Sequence, residues 1–179
     1  SRFPAALIDE FQDTDPLQFA IFRSLYFDGG TMFMVGDPKQ AIYSFRNADL
    51  HTYLAAKRRA DRHRTLAENQ RSEPGLIAAV NALFTANENV FGSPDIRYRP
   101  VVRGAKPLRE LRGDPEPRES LSVWLLPPGE KGEPRKVAEA RQFALAATTG
   151  EIARLLAAGG SGLVTIGDEP LQARDIAVL

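Results

Sequence analysis

The residues of this chain best suited to chemistry are carboxylates. The stretch "DEFQDTD", Asp9 to Asp15, holds four acidic side chains in seven positions, directly after the apolar run "FPAALI". Carboxylates so close together repel unless a positive charge or solvent offsets them. At the end of a strand, Asp9 could hold Mg²⁺ and Glu10 could orient and deprotonate an attacking water, the two tasks phosphoryl transfer requires. A solvated, helix-capping turn accounts for the same residues, and Asp15 before Pro16 has the form of a cap. A second group lies in "VGDPKQAIYSFRNAD". There Gln40 could sense a terminal phosphate or the attacking water, since its amide both donates and accepts. Tyr43 and Phe45, with Arg46 beside them, suit stacking on unpaired bases while gripping phosphate, or packing at a strand-to-helix turn. In "LAENQRS" the guanidinium of Arg71 could reach a γ-phosphate; a surface arginine would read the same way.

The elements that must position these groups alternate. "AALI" (Ala5 to Ile8) and "TMFMV" (Thr31 to Val35) are short, wholly apolar runs, as expected of strands buried on both faces of a parallel sheet. Each runs into an acidic residue, Asp9 and, after a glycine, Asp37. Between them Asp15-Pro16 opens a helix on which Leu17, Ala20, Ile21 and Leu25 recur at helical spacing until Gly29-Gly30. A second helix is expected from Ala48 to Arg59. Ser72 is placed to cap a third, with Leu76, Ile77, Val80, Leu83 and Phe84 on one face. Residues 92–120 read as an irregular connection, "LSVWLL" (Leu121 to Leu126) as a strand, Arg135 to Ala158 as a long helix, and "DIAVL" as a last strand. Strand, helix, strand, helix is the α/β pattern.

Composition narrows the class. Across 179 residues the formal net charge is zero, 43% are hydrophobic and there is no cysteine. This is an ordinary soluble composition without disulfides or thiolate metal sites, and any nucleic-acid surface must be local. No run approaches a membrane span, so no membrane partner is expected. The basic stretch Lys57 to Arg64 could track phosphates, or complement the end of a helix. Because the chain opens and closes on strand-like runs, it is expected to be a piece of a longer polypeptide.

Three segments, "LIDEFQDTDPLQ", "GDPKQAIYSFRNADLHTYL" and "ENQRSEPGLIAAVNALF", together resemble motifs II, III and IV of superfamily 1 helicases of the UvrD/Rep/RecB type, with the second nearest the RecB branch. The likeness is specific up to about Phe84 and weaker through "LSVWLL" and "ARDIAVL". It implies an α/β chain made of parts of two incomplete RecA-like motor domains, residues 1–64 and 65–179. By the resemblance Asp9 is the metal-liganding aspartate, Glu10 activates water, and Gln40 reports on the γ-phosphate. Tyr43, Phe45 and Arg46 meet single-stranded DNA, and Arg71 reaches the γ-phosphate from the second motor domain. The family usually carries an adenine-stacking aromatic where this chain has Gln70. It also implies ATP and Mg²⁺, 3′ to 5′ translocation at duplex DNA ends, RecC- and RecD-like partner subunits, and a cytoplasmic setting in double-strand-break repair. No G-x-x-x-x-G-K-[ST] phosphate loop occurs in these residues, so the chain alone is expected to be inactive. A motor module that has lost hydrolysis and serves DNA binding or subunit assembly is the alternative.

Overall fold

The computed structural model describes residues 3–27, 29–41, 49–116, 119–129 and 132–179. The chain is α/β and divides into two compact units, Ser1–Ala67 with Leu83–Pro100, and Glu68–Ala82 with Val101–Leu179.

In the first unit, strand β1 (Ala5–Ile8) pairs in parallel with β2 (Thr31–Met34), register Ala5 to Thr31 through Ile8 to Met34. The connection is helix α1 (Pro16–Tyr26). Its start is fixed locally. Asp15 accepts the Gln18 N–H at 2.8 Å, the Gln18 side chain accepts the Asp15 N–H at 3.2 Å, and Pro16 supplies the helical φ. Helix α2 (Leu50–Arg59) begins the same way, the Asp49 carboxylate taking the N–H groups of His51 and Thr52 and the Thr52 hydroxyl. The expected start at Ala48 lies outside the described residues.

The core is small: Phe11, Phe19 and Ala56, with Ile8, Met32, Met34 and Tyr53 packed against them. One expectation fails here. The strands are covered on one face only, and Leu7 and Phe33 on the other are 72% and 58% exposed. An apolar run shows that a strand can be buried on both sides; covering both takes a second layer, and the described residues supply one. On α1 the packed face carries Phe19, while Leu17, Ile21 and Leu25 are exposed. The helix is apolar nearly all round, and helical spacing alone did not distinguish the two faces.

The second unit holds a parallel pair, β3 (Glu68–Asn69) with β4 (Val102–Arg103). It also holds a three-stranded antiparallel sheet of β5 (Leu111–Arg112), β6 (Thr165–Ile166) and β7 (Glu169–Pro170). β4 and β5 fall in the stretch expected to be irregular. Helix α3 (Pro74–Thr85) is capped by Glu73, whose carboxylate accepts the Gly75 and Leu76 N–H groups, and not by Ser72. Pro74 takes the first helical position and so shifts the cap by one residue. Helix α4 (Val137–Gly160) is the long helix expected, and Arg154 ties it to Asp114 by two bonds of 2.6 and 3.0 Å. "LSVWLL" and "DIAVL" form no strand: Val123 and Leu125 are largely exposed, and Ala173–Asp175 make a 3-10 turn. Strand-forming side chains need a ladder partner for the backbone, and the described residues present none to either segment.

Candidate phosphoryl-transfer residues

At the end of β1 the backbone turns sharply. Asp9 is exposed, and its Oδ1 accepts the Glu10 N–H at 2.9 Å. Glu10 follows at φ 48° and ψ 42°, the only described non-glycine residue with positive φ. A left-handed conformation of this kind costs an L-residue about 1–2 kcal/mol. The surroundings hold it. Phe11, 1% exposed, plugs the core edge-on to Phe19 at 5.7 Å, and its N–H donates to the Val35 carbonyl at 2.8 Å. Asp13 N–H donates back to the Glu10 carbonyl at 2.9 Å, closing a 3-10 turn over Phe11–Asp13. The Glu10 side chain therefore leaves the strand end into solvent from a backbone with little freedom.

Gln12 is the residue that sequence reasoning left without a role. It is 1% exposed, and its amide is used at both ends. Nε2 donates to Glu10 Oε2 at 2.7 Å and reaches Asp13 Oδ2 at 3.5 Å. Oε1 accepts the Asp37 N–H at 3.0 Å, across 25 residues of sequence. Gly36 makes that approach possible, because a Cβ there would stand 2.7 Å from Gln12 Oε1 and 3.0 Å from the Phe11 nitrogen. The available signal was a polar residue amid a buried turn, which must find partners.

Asp37 in turn opens a 3-10 turn, Pro38–Gln40, which follows β2. Its carboxylate accepts the Lys39 N–H at 3.0 Å, the Lys39 ammonium at 2.7 Å and the Gln40 amide at 3.3 Å. Burial pushes the Asp37 carboxyl up. The hydrogen bonds and charge of Lys39, with Gln40 adding to them, outweigh this and hold it below its ordinary 3.8. Tyr53 donates to the Gly36 carbonyl at 3.3 Å, and burial together with the Asp37 charge raises its phenol above 10. Glu10 and Gln40 are thus joined through Gln12 and Asp37 in one hydrogen-bonded series. Tyr43, Phe45 and Arg46 lie outside the described residues.

In the second unit, Arg71 is exposed in the turn between β3 and α3. Asn69 fixes that turn: its Oδ1 accepts the N–H groups of Arg71 and Ser72, both at 2.9 Å. Among the described residues the Arg71 guanidinium enters no ion pair. Gln70 lies against Gly104, where a Cβ would come within 1.9 Å of its Nε2. Its amide donates to Glu68 at 2.9 Å and accepts the Lys106 N–H at 3.0 Å. The amide plane is therefore held by the protein while the residue stays exposed.

The donor set also bears on a metal. Among the described residues no group of three His, Asp or Glu could hold one. Mg²⁺ does not require such a cage, since it keeps its waters and binds through one or two carboxylates plus substrate phosphates. The exposed Asp9 fits that mode.

Several known sequences are similar to this chain. Residues 1–61 match the UvrD/REP helicase N-terminal domain. The whole chain is 38% identical over 188 residues to the RecB subunit of the RecBCD enzyme from Escherichia coli K12, of which it spans 15%. The RecB subunit of Mycolicibacterium smegmatis is 35% identical over 185 residues, 99% of this chain and 16% of that protein. In Haemophilus influenzae the RecB subunit is 46% identical over 121 residues, 65% of this chain and 10% of that protein. The chain therefore spans about one sixth or less of the relatives it matches, and it is of the UvrD/RecB helicase type. Among the described residues no helix is long and apolar enough to cross a membrane.

Proposed function

We propose that this chain, being of the UvrD/RecB helicase type, supplies carboxylate, sensor and arginine groups to an ATP-driven DNA motor. One observation supports this above the rest: the hydrogen-bonded series that runs from Glu10 through Gln12 and Asp37 to Gln40. It gives two residues 30 positions apart in sequence a shared setting, which an acidic capping turn would not need.

In this reading residues 1–64 belong to a first RecA-like motor domain and residues 65–179 to a second. Glu10 orients a water and takes its proton as the water oxygen bonds to the γ-phosphorus of ATP and the bond to the β-γ bridging oxygen breaks. Gln40 reports whether the γ-phosphate is present. Arg71 stabilises charge on the transferring phosphoryl group. Asp9 would hold Mg²⁺, which when bound neutralises phosphate charge. Gln70 offers a flat amide to the adenine in place of a ring, with less area and polarisability. Tyr43, Phe45 and Arg46 are assigned to single-stranded DNA. The motor then runs 3′ to 5′ from duplex DNA ends, with RecC- and RecD-like subunits in the cytoplasm during double-strand-break repair.

The test is ATP hydrolysis by the full-length protein carrying this sequence, with and without single-stranded DNA. Hydrolysis stimulated by DNA supports the motor. Tight DNA binding with no hydrolysis overturns it in favour of a module that has lost turnover. The 179-residue chain alone, lacking a phosphate loop, is expected to hydrolyse nothing.

A further inference from the structure

We propose that Gln12 is a positioning residue for Glu10, holding its carboxylate in the orientation that water activation requires. This rests on the reading of Glu10 as the base.

Chemical fit supports the assignment. Glu10 is exposed and sits on a left-handed backbone, so its side chain would sample several rotamers if nothing held it. Gln12 Nε2 takes Oε2 of that carboxylate at 2.7 Å, the shorter of its two reaches toward acidic oxygens. Among the described residues Oε1 of Glu10 has no partner, which leaves it to a water. The opposite end of the Gln12 amide is fixed by the Asp37 N–H at 3.0 Å, so the amide cannot flip without leaving both neighbours mismatched. Only an amide of this length satisfies both ends. Glutamate would set a second charge against Glu10, methionine would offer neither bond, and asparagine is one methylene too short to span them. Being buried, Gln12 touches neither solvent nor nucleotide. It acts through Glu10, and it carries the position of the Asp37–Gln40 turn to that carboxylate.

The experiment is DNA-stimulated ATPase kinetics on full-length protein for Gln12→Met, Glu10→Gln and the double variant. Misplacing a catalytic group costs roughly 10- to 100-fold, so Gln12→Met should lower kcat by that factor while KM for ATP stays within about twofold. In the Glu10→Gln background the same change should cost less than about twofold, because there is no base left to position. Equal losses in both backgrounds, the signature of a general folding defect, would overturn the proposal, as would an unchanged kcat in Gln12→Met. If Glu10→Gln itself turns over at the wild-type rate, the base assignment fails and the positioning role fails with it. A normal loss in Glu10→Gln beside a silent Gln12→Met condemns the Gln12 proposal alone. Should Gln12→Met not fold, Gln12→Asn carries the same expectations and the same refutations.

Discussion

Replacing Gly36 by alanine tests whether the acidic turn and the following strand meet as closely as described. The added Cβ would stand 2.7 Å from Gln12 Oε1, 3.0 Å from the Phe11 nitrogen and 3.1 Å from the Gln12 nitrogen. The first atom ends a buried side chain bonded at both ends, and the other two are backbone, so none moves freely. Overpacking of this kind costs about 1–3 kcal/mol. If Gln12 gives way, its hydrogen bond to the Asp37 N–H is lost, adding roughly 0.5–1.5 kcal/mol. A total of about 2–4 kcal/mol corresponds to roughly one and a half to three powers of ten in a local opening equilibrium. Hydrogen exchange on the full-length protein reads this directly, in peptides spanning residues 8–14 and 34–40. The backbone at Gly36 lies outside the left-handed region, so a loss reports contact rather than φ. Exchange at the wild-type rate in both peptides would refute the close approach, and with it the basis for a link through Gln12.

Three further outcomes follow from other parts of the chain. Arg71→Ala should lower DNA-stimulated kcat by about 10³-fold or more, and Arg71→Lys should not restore it, because an ammonium lacks the planar fork; a loss within about tenfold would remove the arginine from the transition state. Asp37 should titrate below 3.8, as carboxyl carbon shifts would report. Because its folded value is depressed, its contribution to stability is present above 3.8 and is lost as pH falls through the folded value; a midpoint above 3.8 would contradict the Lys39 and Gln40 contacts. Gly150 lies inside α4, and a Cβ added there would meet nothing within 4 Å. It should accept alanine with a gain of about 0.4–1 kcal/mol in chemical denaturation, and a loss would argue against a helix there.

Features set by near neighbours were legible in the sequence. Asp15 and Pro16 open α1 through contacts within three residues, so their spacing was enough to show them, while the reciprocal bond of Gln18 is seen only in the structure. The parallel pairing of Ala5–Ile8 with Thr31–Met34 followed from two apolar runs joined by a helix. Burial and side-chain contacts set by distant residues were not legible. Whether Leu7 is buried depends on a second layer, and "LSVWLL" needs a partner strand before its side chains count. The Gln12 contacts span 25 residues in one direction and two in the other, and no local pattern encodes that pair. Glu73 takes the place of Ser72 as the α3 cap because Pro74 fixes the register. At the candidate site, residue types were readable and their connection was not.

Everything proposed for the site depends on Glu10 activating the water that attacks ATP. Rapid-quench single-turnover hydrolysis of DNA-bound, full-length Glu10→Gln protein addresses this most directly, because binding and product release drop out of the rate. ATP should bind as in the wild type, with the chemical step slowed by about 10²-fold or more. A chemical step at the wild-type rate would contradict the assignment.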